Sequence, residues 1–234
     1  MKLAGKSPFA THAVGNTIIV LTIALTLLVT GFIPVAAGGF PAPVADTNGL
    51  PALPRTLWSD TTEPADPNFQ DVGGPIQVGV RFTSTDNGYI TGIRFFKGSQ
   101  NTGAHTGQLY DQSGNLLASA IFSNETAAGW QTVYFGAPVF ITAGQTYVAS
   151  YHTSSGFYAR TANYFTSARV NLPLTAPADD GGANINGVYA YSATPTYPDQ
   201  AYEQSNYWVD VIFETPEMPA SGTLGVYVGA RVTY

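Results

Sequence analysis

The chain has 234 residues, of which 44% are apolar and only 10% charged, with a net charge of −6. The apolar share is enough for a core, and the scarcity of Lys and Arg excludes a nucleic-acid binder that works by neutralising phosphates. The absence of cysteine excludes disulfides, thiolate catalysis, iron–sulfur clusters and thiolate zinc sites.

Lys2 and Lys6 precede a charge-free apolar run, Thr17–Ile33, and the small residues Val35-Ala36-Ala37 follow it. A positive start, an apolar run and a small-residue exit predict a secretory signal peptide over residues 1–37, cleaved before Gly38. The alternative is an uncleaved N-terminal anchor helix, in which case this segment is the only membrane contact. Removing residues 1–37 leaves seven basic residues against fifteen acidic ones, a net charge of −8. An acidic, cysteine-free exported chain fits a prokaryotic protein that is secreted or held at the cell surface. Residues 38–54, rich in Pro, Gly and Ala and without periodicity, read as a linker.

From Thr56 onward, short runs of period-two alternation recur between turn clusters. Ile76, Val78, Val80 and Phe82 alternate with Gln77, Gly79 and Arg81, and Tyr89–Lys97 follows the Thr85-Asp86-Asn87-Gly88 turn, which reads as a hairpin. Gln108–Asp111 and Leu116–Phe122 flank a second turn. Trp130–Phe135 and Gln145–His152 flank a connection containing Pro138 and Gly144, and Val188–Tyr191 and Tyr207–Phe213 come later. No helical spacing longer than a turn or two occurs after the N-terminal segment. Regularly spaced short strands predict an all-β domain over residues 55–214, an antiparallel, jelly-roll-like β-sandwich.

Two stretches stand apart. Arg160–Gly187 is long, holds Pro173, Pro177 and Asp179-Asp180-Gly181-Gly182, and shows little alternation, so it reads as a functional loop or a misread element. Residues 215–234 read as a Pro-bounded hinge followed by the cleanest alternating strand of the chain, Leu224–Thr233. Only Arg231 protects that strand's edge. It therefore either completes its own sandwich or joins a neighbouring copy in a self-association of the strand-addition kind.

No His-Glu-x-x-His, Gly-x-Ser-x-Gly or Walker-type motif is present, and no catalytic residue is assigned. His105, among Gly98, Gly103 and Gly107, reads as a loop residue bonded to backbone groups. No cofactor is expected. Calcium is the one metal whose oxygen ligands the chain offers, through Asp179 and Asp180 in one loop and Asp60, Glu63 and Asp66 in another, although neither set matches an EF-hand.

The tyrosines carry the most information. Nine of the fourteen lie between Tyr147 and Tyr207, joined by Phe157, Phe165 and Trp208. Such rings either pack a core or present faces to sugars and other partners. Alternation places Val209, Val211 and Phe213 on one face of their strand, which turns Trp208 and Asp210 to the other. Tyr151 and His152 run into the Ser154-Ser155-Gly156 turn, which predicts exposure at a strand end. The candidate ligand contacts are Trp208, Tyr151, His152, Tyr158, Tyr189 and Tyr191, with Trp58 as a further one that is also a natural core anchor.

The strings RTLWSDTTEPADPN (55–68), VGVRFTSTDNGYITGIRFFKGSQNTGAHTGQLYDQSGNLLASAIF (78–122), GWQTVYF (129–135), ITAGQTYVASYHT (141–153), GVYAY (187–191) and SNYWVDVIF (205–213) stand in one order. Together they resemble the family catalogued as domain of unknown function 4082, from about Arg55 to Glu214. The resemblance implies an extracellular β-sandwich of bacteria and archaea, found beside adhesion modules or sugar-active enzymes, and brings no catalytic residues. The expected function is a non-catalytic binding module for a glycan or another cell-envelope component. The alternatives are an adhesive protein assembling through its C-terminal strand and, more distantly, a glycan-active enzyme.

Overall fold

A computed structural model describes residues 53–70 and 74–215. The predicted signal segment, nearly all of the linker and the Leu224–Thr233 strand lie outside the described residues. Among the described residues no helix is long and apolar enough to cross a membrane.

The strands, in chain order, begin with β1 (Asp66–Gln70), β2 (Ile76–Ser84), β3 (Gly88–Lys97), β4 (His105–Asp111) and β5 (Leu116–Ile121). They continue with β6 (Gly129–Ile141), β7 (Tyr147–Thr153), β8 (Phe157–Arg160), β9 (Arg169–Asn171) and β10 (Leu174–Ala176). The last three are β11 (Val188–Tyr191), β12 (Gln200–Ala201) and β13 (Val209–Glu214). The larger sheet runs β12-β11-β2-β7-β4-β5, with β10 and β9 added beside the end of β2, and a second sheet runs β13-β3-β6. All pairings are antiparallel. The chain is all-β, and one core of Val78, Val80, Phe82, Ile93, Phe95, Tyr151, Val211 and Phe213 draws on both sheets, consistent with a β-sandwich.

Three sequence expectations change here. β2 and β3 are not a hairpin. β2 pairs with β7, β10 and β11, whereas β3 pairs with β6 and β13, so the Asn87-Gly88 turn carries the chain from one sheet to the other. Alternation reports a buried face but not which strand lies alongside. Pro138 does not end a strand, since β6 runs on to Ile141. The ladder pairs Gly92 with Tyr134 and Ile90 with Val139, so Pro138 sits in a bulge, where a missing N–H breaks no ladder bond. Arg160–Gly187 is built rather than structureless. It holds a short 3-10 turn at Tyr164–Thr166 and the three-residue strands β9 and β10, which are too short to show a period.

The outer face of the larger sheet is covered too. Tyr110, Val148 and Val188 form a small cluster there with Ile185 and Tyr197 from the following loops. His152, on the same face, is buried, and its Nε2 lies 2.9 Å from the Ser192 carbonyl.

Two buried polar groups tie the layers together. The Asp210 carboxylate accepts from the backbone N–H groups of Leu57 (2.7 Å), Trp58 (3.1 Å) and Val211 (2.8 Å), and lies 3.2 Å from Arg94 Nη2. Burial pushes its pKa up to about 6. His105 opens β4 rather than sitting in a loop and is wholly buried. Its Nδ1 lies 2.8 Å from Glu125, which also pairs with Lys97 at 2.7 Å, and its Nε2 meets the Asn101 amide at 2.9 Å. Burial lowers the His105 pKa below the ordinary 6.5, against the pull of Glu125. As pH falls below about 6.5, His105 takes up a proton in the unfolded chain that the folded one refuses, so this residue draws folding stability down toward acid. The raised pKa of Asp210 acts in the opposite direction, so the difference is the test: in urea unfolding across pH, His105→Gln is expected to lose less stability toward acid than the parent chain.

Candidate functional site

In the larger sheet β11 lies between β2 and the short edge strand β12. Tyr189 pairs with Val78 and Tyr191 with Ile76, so both tyrosines continue the face on which the core is built. Both line a pocket of about 280 Å³.

The opposite wall comes from β8 and its partner β1. Tyr158 and Arg160 share one face of β8, and Phe69 stands directly across from Tyr158, their ring centroids 5.4 Å apart. The rings then run on in contact: Tyr158 to Tyr207 at 5.6 Å, Tyr207 to Tyr189 at 6.3 Å, and Tyr189 to Tyr191 at 5.5 Å. Tyr202 completes the lining. Tyr158 and Tyr207 are buried at the base, whereas Tyr191 (46% exposed) and Tyr202 (55% exposed) form the rim. Burial raises the Tyr207 pKa and the neighbouring Glu203 carboxylate raises that of Tyr202, so both hydroxyls keep their protons at neutral pH.

Arg160 is the only charged residue in the lining. Its guanidinium lies 4.6 Å from the Phe69 ring centre and 5.3 Å from that of Tyr202. Nε donates to Ser205 Oγ at 3.0 Å, and Nη2 donates to the Glu203 carboxylate. Both partners belong to the strap from Tyr202 to Trp208 that joins β12 to β13. Three of its non-glycine residues hold left-handed backbone angles: Glu203 (φ 51°), Gln204 (φ 47°) and Trp208 (φ 55°). Each costs on the order of 1–3 kcal/mol, and such outliers persist only where surrounding contacts over-determine them.

Those contacts are present. Thr161 and Asn206 exchange backbone hydrogen bonds of 2.9 Å, and Phe165 N–H donates to the Gln204 carbonyl at 2.8 Å. The Gln204 side chain donates to the Asp179 carbonyl at 2.6 Å. Gly187, at φ +69°, passes so close that a Cβ there would stand 1.6 Å from the Ser205 carbonyl oxygen.

The sequence candidates divide accordingly. Tyr158, Tyr189 and Tyr191 come together in the pocket. Trp208, Trp58, Tyr151 and His152 are buried elsewhere. Trp208 lies on the same side as Asp210, beside Trp58 and Trp130, but that side is itself covered: its ring packs 5.8 Å from Trp58 and 5.6 Å from Tyr164. Its Nε1 donates to Thr161 Oγ1 at 3.0 Å, and Trp58 Nε1 donates to the Tyr164 hydroxyl at 2.8 Å. Tyr151 stacks on Phe95 at 4.0 Å within the core.

Asp179 and Asp180 spend their carboxylates on their own loop. Asp179 accepts from Gly181 and Asn186, and Asp180 from Gly182 and Asn184. Asp60 pairs with Arg94, and Asp66 accepts from the Asn68 N–H. Among the described residues no group of three His, Cys, Asp or Glu side chains converges as metal ligands.

Sequence reasoning missed Phe69, Arg160, Tyr202 and Tyr207 as a site. Phe69 and Arg160 lie in strands of five and four residues, and Tyr202 and Tyr207 in a strap without periodicity. The one signal was the density of tyrosine around them.

A sandwich-like all-β chain with an aromatic pocket beside its open edge is thus the class of protein that the fold and site define. The family model for domain of unknown function 4082 matches residues 61–209, well over half of the chain, and the protein belongs to that family. Among curated proteins, no relative matches it.

Replacing Gly187 by alanine is expected to cost about 3 kcal/mol or more, because the backbone angle and the Ser205 carbonyl both oppose a side chain. Gly136→Ala, where nothing lies within 4 Å of the new Cβ, is expected to stay within about 0.5 kcal/mol of the parent. Urea unfolding of the two variants measures the difference.

Proposed function

We propose that this protein is a non-catalytic binding module of the cell exterior that holds a glycan in the aromatic pocket. The observation that carries the reading is the lining itself: five tyrosines, one phenylalanine and one arginine around about 280 Å³. Tyrosine rings offer flat apolar faces for the C–H faces of a sugar. Glycoside hydrolysis needs two opposed carboxyl groups, and no residue of the lining is acidic. The strained strap beside the pocket supports a functional role for that region. The signal-like N-terminal segment supports export, and the passage of the chain between the two sheets, as from β2 to β3 and from β6 to β7, supports a jelly-roll arrangement.

Affinity electrophoresis and pull-down of the full chain on polysaccharides and a glycan array test the reading. The parent chain is expected to be retained by at least one glycan. Tyr191→Ala and Tyr202→Ala are each expected to weaken retention roughly tenfold, the equivalent of about 1.4 kcal/mol. Tyr134→Ala, at an exposed ring on β6 away from the pocket, is expected to match the parent. Retention on no glycan at all contradicts the proposal.

A further inference from the structure

The charge arrangement around Arg160 narrows the ligand class, given the glycan reading above. The guanidinium is the pocket's only cation, and its Nη2 already donates to the Glu203 carboxylate. Nε is taken by Ser205. Among the described residues these are the guanidinium's hydrogen bonds and they use two of its five N–H groups, so Nη1 is left as a donor for a ligand. An acidic ligand group reaching that donor meets a guanidinium whose charge Glu203 has offset, on a chain of net charge −6. It also surrenders its hydration to aromatic walls without a net positive field to replace it. A neutral hydroxyl gains the same hydrogen bond at far smaller desolvation cost.

Size sets a second limit. The pocket volume of about 280 Å³ falls just short of the roughly 300 Å³ at which sites for drug-sized ligands begin. That is room for one six-membered sugar ring and its substituents rather than for a run of them. Within that lining Tyr191 and Tyr202 are exposed, whereas Tyr158 and Tyr207 are buried.

We propose that the pocket takes one neutral pyranose unit, a terminal or branch sugar of an uncharged glycan, with Arg160 Nη1 donating to a ring hydroxyl and the tyrosine faces packing against its C–H groups. Acidic glycans such as uronate polymers are outside its ligand class, and lengthening the chain beyond the first ring adds little affinity.

The test uses ligand-observed NMR and calorimetry on the full chain. The probes are methyl glycosides of glucose, galactose, mannose and N-acetylglucosamine, glucuronic and galacturonic acids, and neutral oligosaccharides of the sugar that binds. A neutral glycoside is expected to bind with affinity constant within about twofold from roughly 20 to 500 mM NaCl, since no net charge is being screened. The affinity of the matching oligosaccharide is expected to stay within about threefold of the monosaccharide's, less than 1.4 kcal/mol. A uronic acid that binds more tightly than its neutral counterpart and weakens with salt overturns the neutral assignment. A tenfold or larger gain with chain length overturns the single-ring assignment. Either result leaves the glycan reading standing, whereas binding by no sugar of either kind removes both.

Discussion

The guanidinium of Arg160 holds the strap to the sheet edge: it donates to Glu203 and Ser205 across a segment with three left-handed non-glycine residues, and it lies over the rings of Phe69 and Tyr202. Without it the strap from Tyr202 to Trp208 loses two side-chain ties at the point where its backbone is most strained. Tyr202 and Tyr207 sit on that strap, so two of the five pocket tyrosines depend on it directly. The same side chain lines the pocket, so the group that ties the strap is also the one that the proposal assigns to the ligand. Arginine suits this double duty, because its planar fork spreads several donors over different partners while its face stacks on rings.

The far end of the strap is fixed from inside the core. Trp208 closes it against Trp58, Tyr164 and Trp130. Two residues later Asp210 accepts the N–H groups of Leu57 and Trp58, which pins the first described segment of the chain beneath the cluster. Asp210 is wholly buried, so leaving it without these donors costs several kcal/mol. The buried tryptophans therefore serve the pocket from a distance: they set where β13 begins, and hence where the strap must end. The Asp179–Asn186 loop completes the frame, its carboxylates shaping the loop and the Asp179 carbonyl receiving Gln204.

Much of this order is written in the residues, but not all of it is readable from them. Period-two alternation identifies β2, β7 and β11 and places Tyr189 and Tyr191 on one face, and the crowding of tyrosine late in the chain points to the region of the pocket. Alternation says nothing about partners, which is why the Asn87-Gly88 turn looks like a hairpin and is a crossing between sheets. Nor does it say whether a face is covered: Trp208 and Asp210 share the face that their phase assigns them, and the Leu57-Trp58 segment buries it. His152 sits on the face that alternation assigns to it, but the loop at Ser192 covers that face. Arg160 and Phe69 meet only because β1 pairs with β8 across nearly ninety residues of sequence, a separation that no local pattern encodes.

The account's central claim is that the ring-lined pocket at β11, and no other surface, receives the ligand. Chemical-shift mapping of the isotopically labelled full chain with a bound sugar tests it most directly. The account predicts that the perturbed signals cluster on Phe69, Tyr158, Arg160, Tyr189, Tyr191 and Tyr202, with the β5 edge and the outer face of β6 around Tyr134 unmoved. Perturbations centred on Tyr134 and Thr132, with the pocket signals unchanged, would contradict it.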